Sequence, residues 1–376
     1  MESKALYIHI PFCKKKCYYC DFPSFCGKDH LTKNYIEALS EEIISRASKF
    51  NISTIFIGGG TPTFLNYEEI LTLGKTIEKL NIVQDCEFTV ECNPGTLTKE
   101  KLKALKQIGV NRLSIGLQST HNNHLKAIGR IHTYEEFKSN YYLARELGFN
   151  NISIDLIFAL PDETLEEWRS DILEVIKMEP EHISCYSLII EEGTPFHKLY
   201  NMGKLNLPDE EVEREMYRST LELLTKAGYE QYEISNFSKK NKESKHNLVY
   251  WTLKDYIGCG TGAHSYIQGM RYRNVETIEE YINLMNTREN AMVESHKNSI
   301  EDDIEEFIFM GMRKIKGIDE KEFKNRFGRE IDELYRDVII KYESEKLLER
   351  KNGRIFFTER GVELSNRVLT DFILDK

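Results

Sequence analysis

The sequence predicts an α/β protein built on a parallel sheet, followed by a smaller, mainly helical domain. Three observations carry this reading. Strand-like and helix-like segments alternate six times through the first two-thirds of the chain. The strand segments are apolar on both faces, as expected of a parallel sheet covered by helices. The residues with chemical potential sit just after the strands, where α/β folds keep their working groups. A doubly wound sheet and a full or partial barrel satisfy these observations equally.

The elements follow in order. "ALYIHI" reads as a strand running straight into a cysteine cluster. "LTKNYIEALSEEIISRASKF" spaces Tyr35, Ile36, Leu39, Ile43 and Ile44 as one face of a helix. "STIFIGGG" is a strand ending in glycines. Asn66 and Glu69 form a capping box ahead of "ILTLGKTIEKL". "EFTVECNP", "RLSIGLQS", "ISIDLIFALP" and "HISCYSLII" are further strands. The helices between them begin at "TKEKLKALKQIG" and at the capping boxes Thr133–Glu136 and Thr164–Glu167. Beyond about residue 200 one more helix precedes a polar, aromatic-rich stretch. From about Ile300 the chain turns charged and helical, and Asn352-Gly353 marks a tight hairpin between two short strands. A helix, a hairpin and a closing helix describe a winged-helix-like domain.

Composition narrows the class. With 51 basic and 61 acidic residues the net charge is −10, which argues against a phosphate-backbone binder. No apolar run reaches the roughly 20 residues that span a bilayer, and "MESKALYIHIPFC" does not read as a signal peptide. A cytoplasmic protein with reduced thiols is expected. In that setting eight cysteines point to metal or redox chemistry rather than disulfides. Cys26, Cys86, Cys92, Cys185 and Cys259 are scattered and read as small buried hydrophobes.

Cys13, Cys17 and Cys20 are different, because "CKKKCYYC" packs them into eight residues. A zinc site would need a fourth ligand, for which Cys26 or His30 is available. A four-iron, four-sulphur cluster held by three thiolates instead keeps one iron open. S-adenosylmethionine (SAM) can fill that position with its amino and carboxylate groups. The CxxxCxxC spacing after a first strand is that of radical SAM enzymes. The other strand ends suit such a ligand. Gly58, Gly59 and Gly60 admit a ligand close to the backbone, although a glycine run is also a plain turn. Glu91, Gln118, Arg130 and Asp155 supply the acidic, neutral and basic groups that SAM calls for. Individually, Arg130 also reads as a surface arginine, and Glu91 or Asp155 as structural caps.

Taken in order, "YIHIPFCKKKCYYCDF", "GGGTPT", "ECNPG", "GLQS", "IDLIFALP", "HNLVYW" and "GTGAHS" make the sequence recognisable. It resembles the coproporphyrinogen-dehydrogenase-like branch of the radical SAM superfamily and, within it, the HemW-type haem chaperones. The resemblance runs over nearly the whole chain. It implies a partial (β/α)6 barrel over residues 1–235, a connecting segment over 236–299 and a winged-helix-like domain over 300–376. It implies a [4Fe-4S] cluster on Cys13, Cys17 and Cys20. It places Tyr7, Tyr19, Gly59, Gly60, Thr61, Glu91, Gln118, Arg130 and Asp155 on SAM.

Two functions fit that branch. One is the radical decarboxylation of coproporphyrinogen III. The other is a chaperone that carries haem as cargo to haem-dependent membrane respiratory proteins. Three features favour the chaperone. Phe22 stands where the dehydrogenase pattern continues to a further cysteine, Tyr7 lies close to the start of the chain, and "HNLVYW" matches the HNxxYW signature of the chaperones. His246 offers an axial ligand, Tyr250 and Trp251 offer flat faces, and Asn247 offers a partner for a propionate. Read without the resemblance, His246 is a solvated loop histidine in a polar, mobile stretch, and Tyr250 and Trp251 are a packed corner between domains. A nucleic-acid role for the last domain is disfavoured by charge. The expected setting is the cytoplasm, peripheral at a membrane only through a partner, with no span of its own and a homodimer left open.

Overall fold

The computed structural model describes residues 3–374. Strands β1 (Ser3–Ile10), β2 (Asn51–Gly59), β3 (Asn81–Cys92), β4 (Arg112–Gln118), β5 (Ile152–Phe158) and β6 (His182–Ser187) lie side by side in chain order. Each is parallel to the next. This order never reverses, so the winding is that of a barrel rather than of a doubly wound sheet. The helices α1 (Thr32–Ala47), α2 (Tyr67–Ile77), α3 (Lys99–Gln107), α4 (Asn122–Ala127), α5 (Tyr134–Glu146) and α6 (Leu165–Lys177) connect the strands. Of these, α4 is a short additional turn after β4 that periodicity did not indicate. All three capping boxes form, at Asn66–Glu69, Thr133–Glu136 and Thr164–Glu167. Each contributes about 1 kcal/mol and fixes where its helix starts. The core between sheet and helices is apolar. At its far side Trp168 is fully buried, and its Nε1–H donates to Met216 O and Thr220 Oγ1, both at 3.0 Å.

After α7 (Pro195–Asn201) and α8 (Glu210–Lys226), the strands β7 (Glu230–Glu233) and β8 (Asn236–Ser238) continue the sheet antiparallel beyond β6. The chain then forms helix α9 (Lys245–Trp251) and crosses to the opposite end. There β9 (Tyr256–Cys259) pairs parallel with β1, followed by β10 (His264–Ile267), β11 (Met270–Asn274), helix α10 (Ile278–Arg288) and β12 (Met292–Lys297). The result is one 12-stranded sheet. The stretch 236–299, expected to be a connecting segment, therefore adds strands to both ends of the sheet. These strands are too short for periodicity to reveal, and their partners are remote in sequence.

One side chain fastens this extension. Glu42 of α1 is 2% exposed. Its carboxylate accepts hydrogen bonds from Gly260 N at 2.7 Å, Asn274 Nδ2 at 2.7 Å, Tyr281 Oη at 2.6 Å and Arg46 Nη1 at 3.2 Å. All four bonds reach one buried acid, so its loss strands several donors together.

The last domain comprises α11 (Ile300–Gly311), β13 (Ile318–Asp319), α12 (Glu320–Phe327), α13 (Asp332–Ser344), β14 (Leu348–Lys351), β15 (Arg354–Phe357), α14 (Glu359–Glu363) and α15 (Ser365–Thr370). The hairpin forms at Asn352 and Gly353, with φ of 54° and 72°, as a primed turn requires. This domain has its own core around Phe307, Phe323, Tyr335 and Ile355, which also takes in Leu253 and Tyr266 from the sheet extension. Residues 313–315 run along the outer side of β7: Ile234 N donates to Arg313 O and Ile315 N to Tyr232 O, both at 3.1 Å. Among the described residues no helix is long and apolar enough to cross a membrane.

Replacing Glu42 with Ala is expected to destabilise the protein by about 3–5 kcal/mol, because a buried charged hub is removed while its donors stay buried. Urea unfolding of the two proteins measures this. A change below about 1 kcal/mol would show that the extension is held by other contacts.

Candidate functional site

The register of the parallel strands decides what meets inside the barrel. Tyr7, Phe56, Thr89 and Arg112 lie level across β1–β4. Two residues further on, Glu91, Ser114, Ser153 and His182 lie level across β3–β6. Gly116, Asp155 and Ser184 form the next level. Because strand side chains alternate, all of these face the interior. All of them except Tyr7, Thr89 and Ser153 line a cavity of about 560 Å³ open at the C-terminal ends of the strands.

Asp155 is fixed by three hydroxyls: Ser114 Oγ at 2.8 Å, Ser153 Oγ at 3.1 Å and Ser184 Oγ at 2.7 Å. Glu91 accepts from Gly59 N at 3.1 Å. Burial, and then the neighbouring Asp155, push its carboxyl up to about 8, with the Gly59 amide pulling the other way. Among the described residues neither acid makes an ion pair, so the two suit a positively charged ligand group. Opposite them, Arg130 donates from Nη2 to Gly116 O at 2.6 Å and from Nη1 to Cys17 Sγ at 3.7 Å, while its Nε is buried without a partner. Gln118 holds φ of 74°, an unusual conformation for a side-chain-bearing residue, at the strand end facing the cavity.

The cysteine segment is pinned at several points. Cys13 N donates to Phe25 O at 3.0 Å, Tyr18 N to Ile128 O at 3.0 Å and Phe196 N to Tyr18 O at 3.0 Å. Cys13 Sγ lies 3.4 Å from Thr61 Oγ1. Burial raises the thiols of Cys13 and Cys20, the latter to about 11, so they need a positive partner to ionise. Among the described residues no group of three or more His, Cys, Asp or Glu side chains converges tightly enough for a single ion. Cys26 and His30, the candidate fourth ligands of a zinc site, are both exposed. The donor set suits an iron–sulphur cluster better than mononuclear zinc. Three thiols, a buried acid pair, an arginine with a free Nε–H and a glycine-lined wall fit a cluster with SAM beside it. Gly59 shows why that wall has no side chain: its φ is 109°, and a Cβ there would lie 2.4 Å from the His9 ring.

Cys13, Cys17, Cys20, Tyr19, Gly59, Gly60, Thr61, Glu91, Gln118, Arg130, Asp155 and Asn247 all line this one cavity. Four other predicted residues do not. Tyr7 lies behind the wall, its hydroxyl 3.0 Å from His9 Nδ1, and His9 Nε2 is 2.7 Å from Pro23 O. Tyr7 thus reaches the cysteine segment through His9, a residue that sequence reasoning missed although it sits in "YIHIPFC". His246, Tyr250 and Trp251 belong to α9, a helix and not the exposed, mobile loop that the polar sequence suggests. Ser244 caps it, and Glu87 accepts from Lys245 N and His246 N, both at 3.0 Å. His246 is 1% exposed, with Nδ1 2.8 Å from Thr54 Oγ1 and Nε2 2.9 Å from Tyr250 Oη. The helical spacing of His246 and Tyr250 places both on the face packed against β2. Trp251 lies beneath the Arg313 guanidinium, 4.6 Å from ring centroid to Cζ, at the join with the last domain. Only Asn247 of this hexapeptide reaches the cavity. Arg112 and His182 also line the cavity. Neither carried a motif, and only their alternation with Ser114 and Ser184 marks them as inward-facing.

A parallel partial barrel with three cysteines after its first strand and an acid–arginine cavity beside them defines a radical SAM protein. Residues 7–175 match the Radical SAM superfamily, and residues 298–364 match the HemN C-terminal domain. Heme chaperone HemW of Bacillus subtilis (strain 168) is 41% identical over 375 residues, covering 98% of this chain and 99% of that protein. Heme chaperone HemW of Lactococcus lactis subsp. lactis is 40% identical over 377 residues, covering 100% and 98%. The solved structure of coproporphyrinogen III oxidase (HemN) from Escherichia coli superposes with a TM-score of 0.86 over 99% of this chain and 90% of that one, at 24% identity, a likeness of fold. The chain belongs to the HemW heme chaperone family. Membership of the Radical SAM superfamily implies a [4Fe-4S] cluster and SAM.

Burial, helped by the nearby Arg112 charge, lowers His246 to about 3. Its folded pKa lies below the unfolded value near 6.5, so its neutral form stabilises the fold above pH 6.5 and that contribution is lost as pH falls toward 3. Acidification from pH 7 to pH 5 is expected to destabilise the wild type by about 2 kcal/mol more than His246→Gln. Urea unfolding at the two pH values tests this, and equal losses would show that His246 is not buried in solution.

Proposed function

We propose that this protein is a haem chaperone that binds haem and passes it to haem-dependent membrane respiratory proteins. The observation that supports this most strongly is end-to-end similarity to HemW proteins at about 40% identity. Phe22 supports it too. It is 59% exposed at the cavity mouth, where a dehydrogenase-type sequence has a further cysteine. In this reading Cys13, Cys17 and Cys20 hold the [4Fe-4S] cluster. Bound SAM would fill the open iron position with its amino and carboxylate groups and bring its sulphonium charge into the cavity. The chain's own residues receive it: Glu91 and Asp155 face its positive charge, Arg130 and Gln118 offer donors, and Gly59, Gly60 and Thr61 form the wall. Tyr19 closes the cluster side, and Tyr7 steadies the wall through His9.

The haem reading keeps His246, Asn247, Tyr250 and Trp251 as its candidate residues, under one condition set by the fold. Both ring nitrogens of His246 are hydrogen-bonded. Iron ligation by His246 therefore requires α9 to leave its seat on β2. A cytoplasmic setting, contact with a membrane only through the acceptor and a homodimer are part of the same proposal.

Anaerobic reconstitution is expected to load about four irons per chain. Cys17→Ala is expected to abolish the broad visible absorbance of the cluster, and zinc retained without iron would end the radical SAM reading. Haem titration followed at the Soret band is expected to saturate, and His246→Ala to weaken or shift the band. An unchanged band moves the ligand elsewhere. No saturable binding, together with conversion of coproporphyrinogen III in the presence of SAM and reductant, would replace the chaperone by the dehydrogenase.

A further inference from the structure

The cavity continues below the cluster and SAM residues to a floor that this function does not use. Arg112, at the start of β4, is 2% exposed and lines that floor with Asn247 and His182. Among the described residues it has no ion pair, and its Nε is buried with no acceptor. The acids on the neighbouring strands β3 and β5 accept other hydrogen bonds, Glu91 from Gly59 N. Glu87 accepts the Lys245 and His246 amides, and Asp155 is held by three serines. Thr89, level with Arg112 on β3, is fully buried, and its hydroxyl also lacks a partner. A guanidinium that lines the cavity with its Nε–H buried and unpartnered lacks an acceptor, and a planar two-oxygen anion is the partner its fork fits best. From this geometry we infer that the barrel floor is an oxyanion subsite centred on Arg112, with Asn247 of α9 beside it. It takes either the carboxylate of an organic ligand seated in the barrel or free phosphate. It is independent of the identity of the cargo and of the cluster, and it gives the one cavity-facing residue of "HNLVYW", Asn247, a place beside a ligand.

The test uses the full-length protein, purified anaerobically, with sodium acetate and sodium phosphate titrated against chloride at constant ionic strength. The thermal unfolding midpoint is the readout, for the wild type, Arg112→Met and Arg112→Lys. The wild-type midpoint is expected to rise with the logarithm of anion concentration above the dissociation constant, by about 2 °C at tenfold that constant. Response to acetate assigns the site to an organic carboxylate, and response to phosphate alone assigns it to free phosphate. Arg112→Met is expected to lose the response. In chloride its midpoint should equal or exceed that of the wild type, because an unpaired buried charge is gone. Arg112→Lys is expected to need roughly tenfold more anion, having lost the fork. A wild type indifferent to both anions overturns the inference. So does Arg112→Met that responds like the wild type, or one that is several degrees less stable in chloride and still responds. If Arg112→Met does not fold, Arg112→Lys decides: an unchanged anion response overturns the inference, and a weakened one supports it.

Discussion

The register between parallel strands is the constraint on which the rest of the molecule depends. Shifting β4 by one residue would turn Leu113, Ile115 and Leu117 inward and send Arg112, Ser114 and Gln118 into the apolar layer beneath the helices. Each central strand therefore carries two sequences read alternately, one apolar for the helices and one polar for the cavity. The serine cage around Asp155 draws one hydroxyl from each of three adjacent strands. It exists only while all three stay in step.

How much was legible depended on sequence distance. Capping boxes, the hairpin at Asn352-Gly353, the cysteine spacing and the glycine wall are local, and each was readable from a few residues. Their positions after successive strands and the family resemblance together group eleven cavity-lining residues on a cluster and SAM, whereas Asn247 reads from sequence as a haem residue. The unread parts rest on remote pairing. Nothing near Tyr256 announces that it will lie beside β1, and nothing near Glu42 announces three partners beyond residue 259. The hexapeptide "HNLVYW" was noticed for its side chains, yet its burial is decided by Thr54, Phe56 and Glu87, on strands far back in the chain. A polar stretch reads as a loop until its acceptors are known.

The barrel interior is divided along its axis. At the strand ends lie the thiols, the acid pair and Arg130. At the other end lie α9, with His246 kept neutral by burial, and Arg112. Ser114, between Arg112 and Gly116 on β4, lines the same cavity, so events at the two ends share one volume. The apolar core outside the sheet gives this polar interior its rigidity, since helices anchored by their caps hold the strands at fixed spacing.

The sheet also has two outer rims, and they are protected differently. On β12 the exposed residues include Glu294 and Lys297, charges that discourage another strand from pairing there. On β7 the backbone is already occupied by residues 313–315 of the last domain. That domain therefore serves the barrel as a cap against self-association: a chain cut before residue 300 would expose a bare strand edge and invite intermolecular sheet growth, whatever became of its ligands.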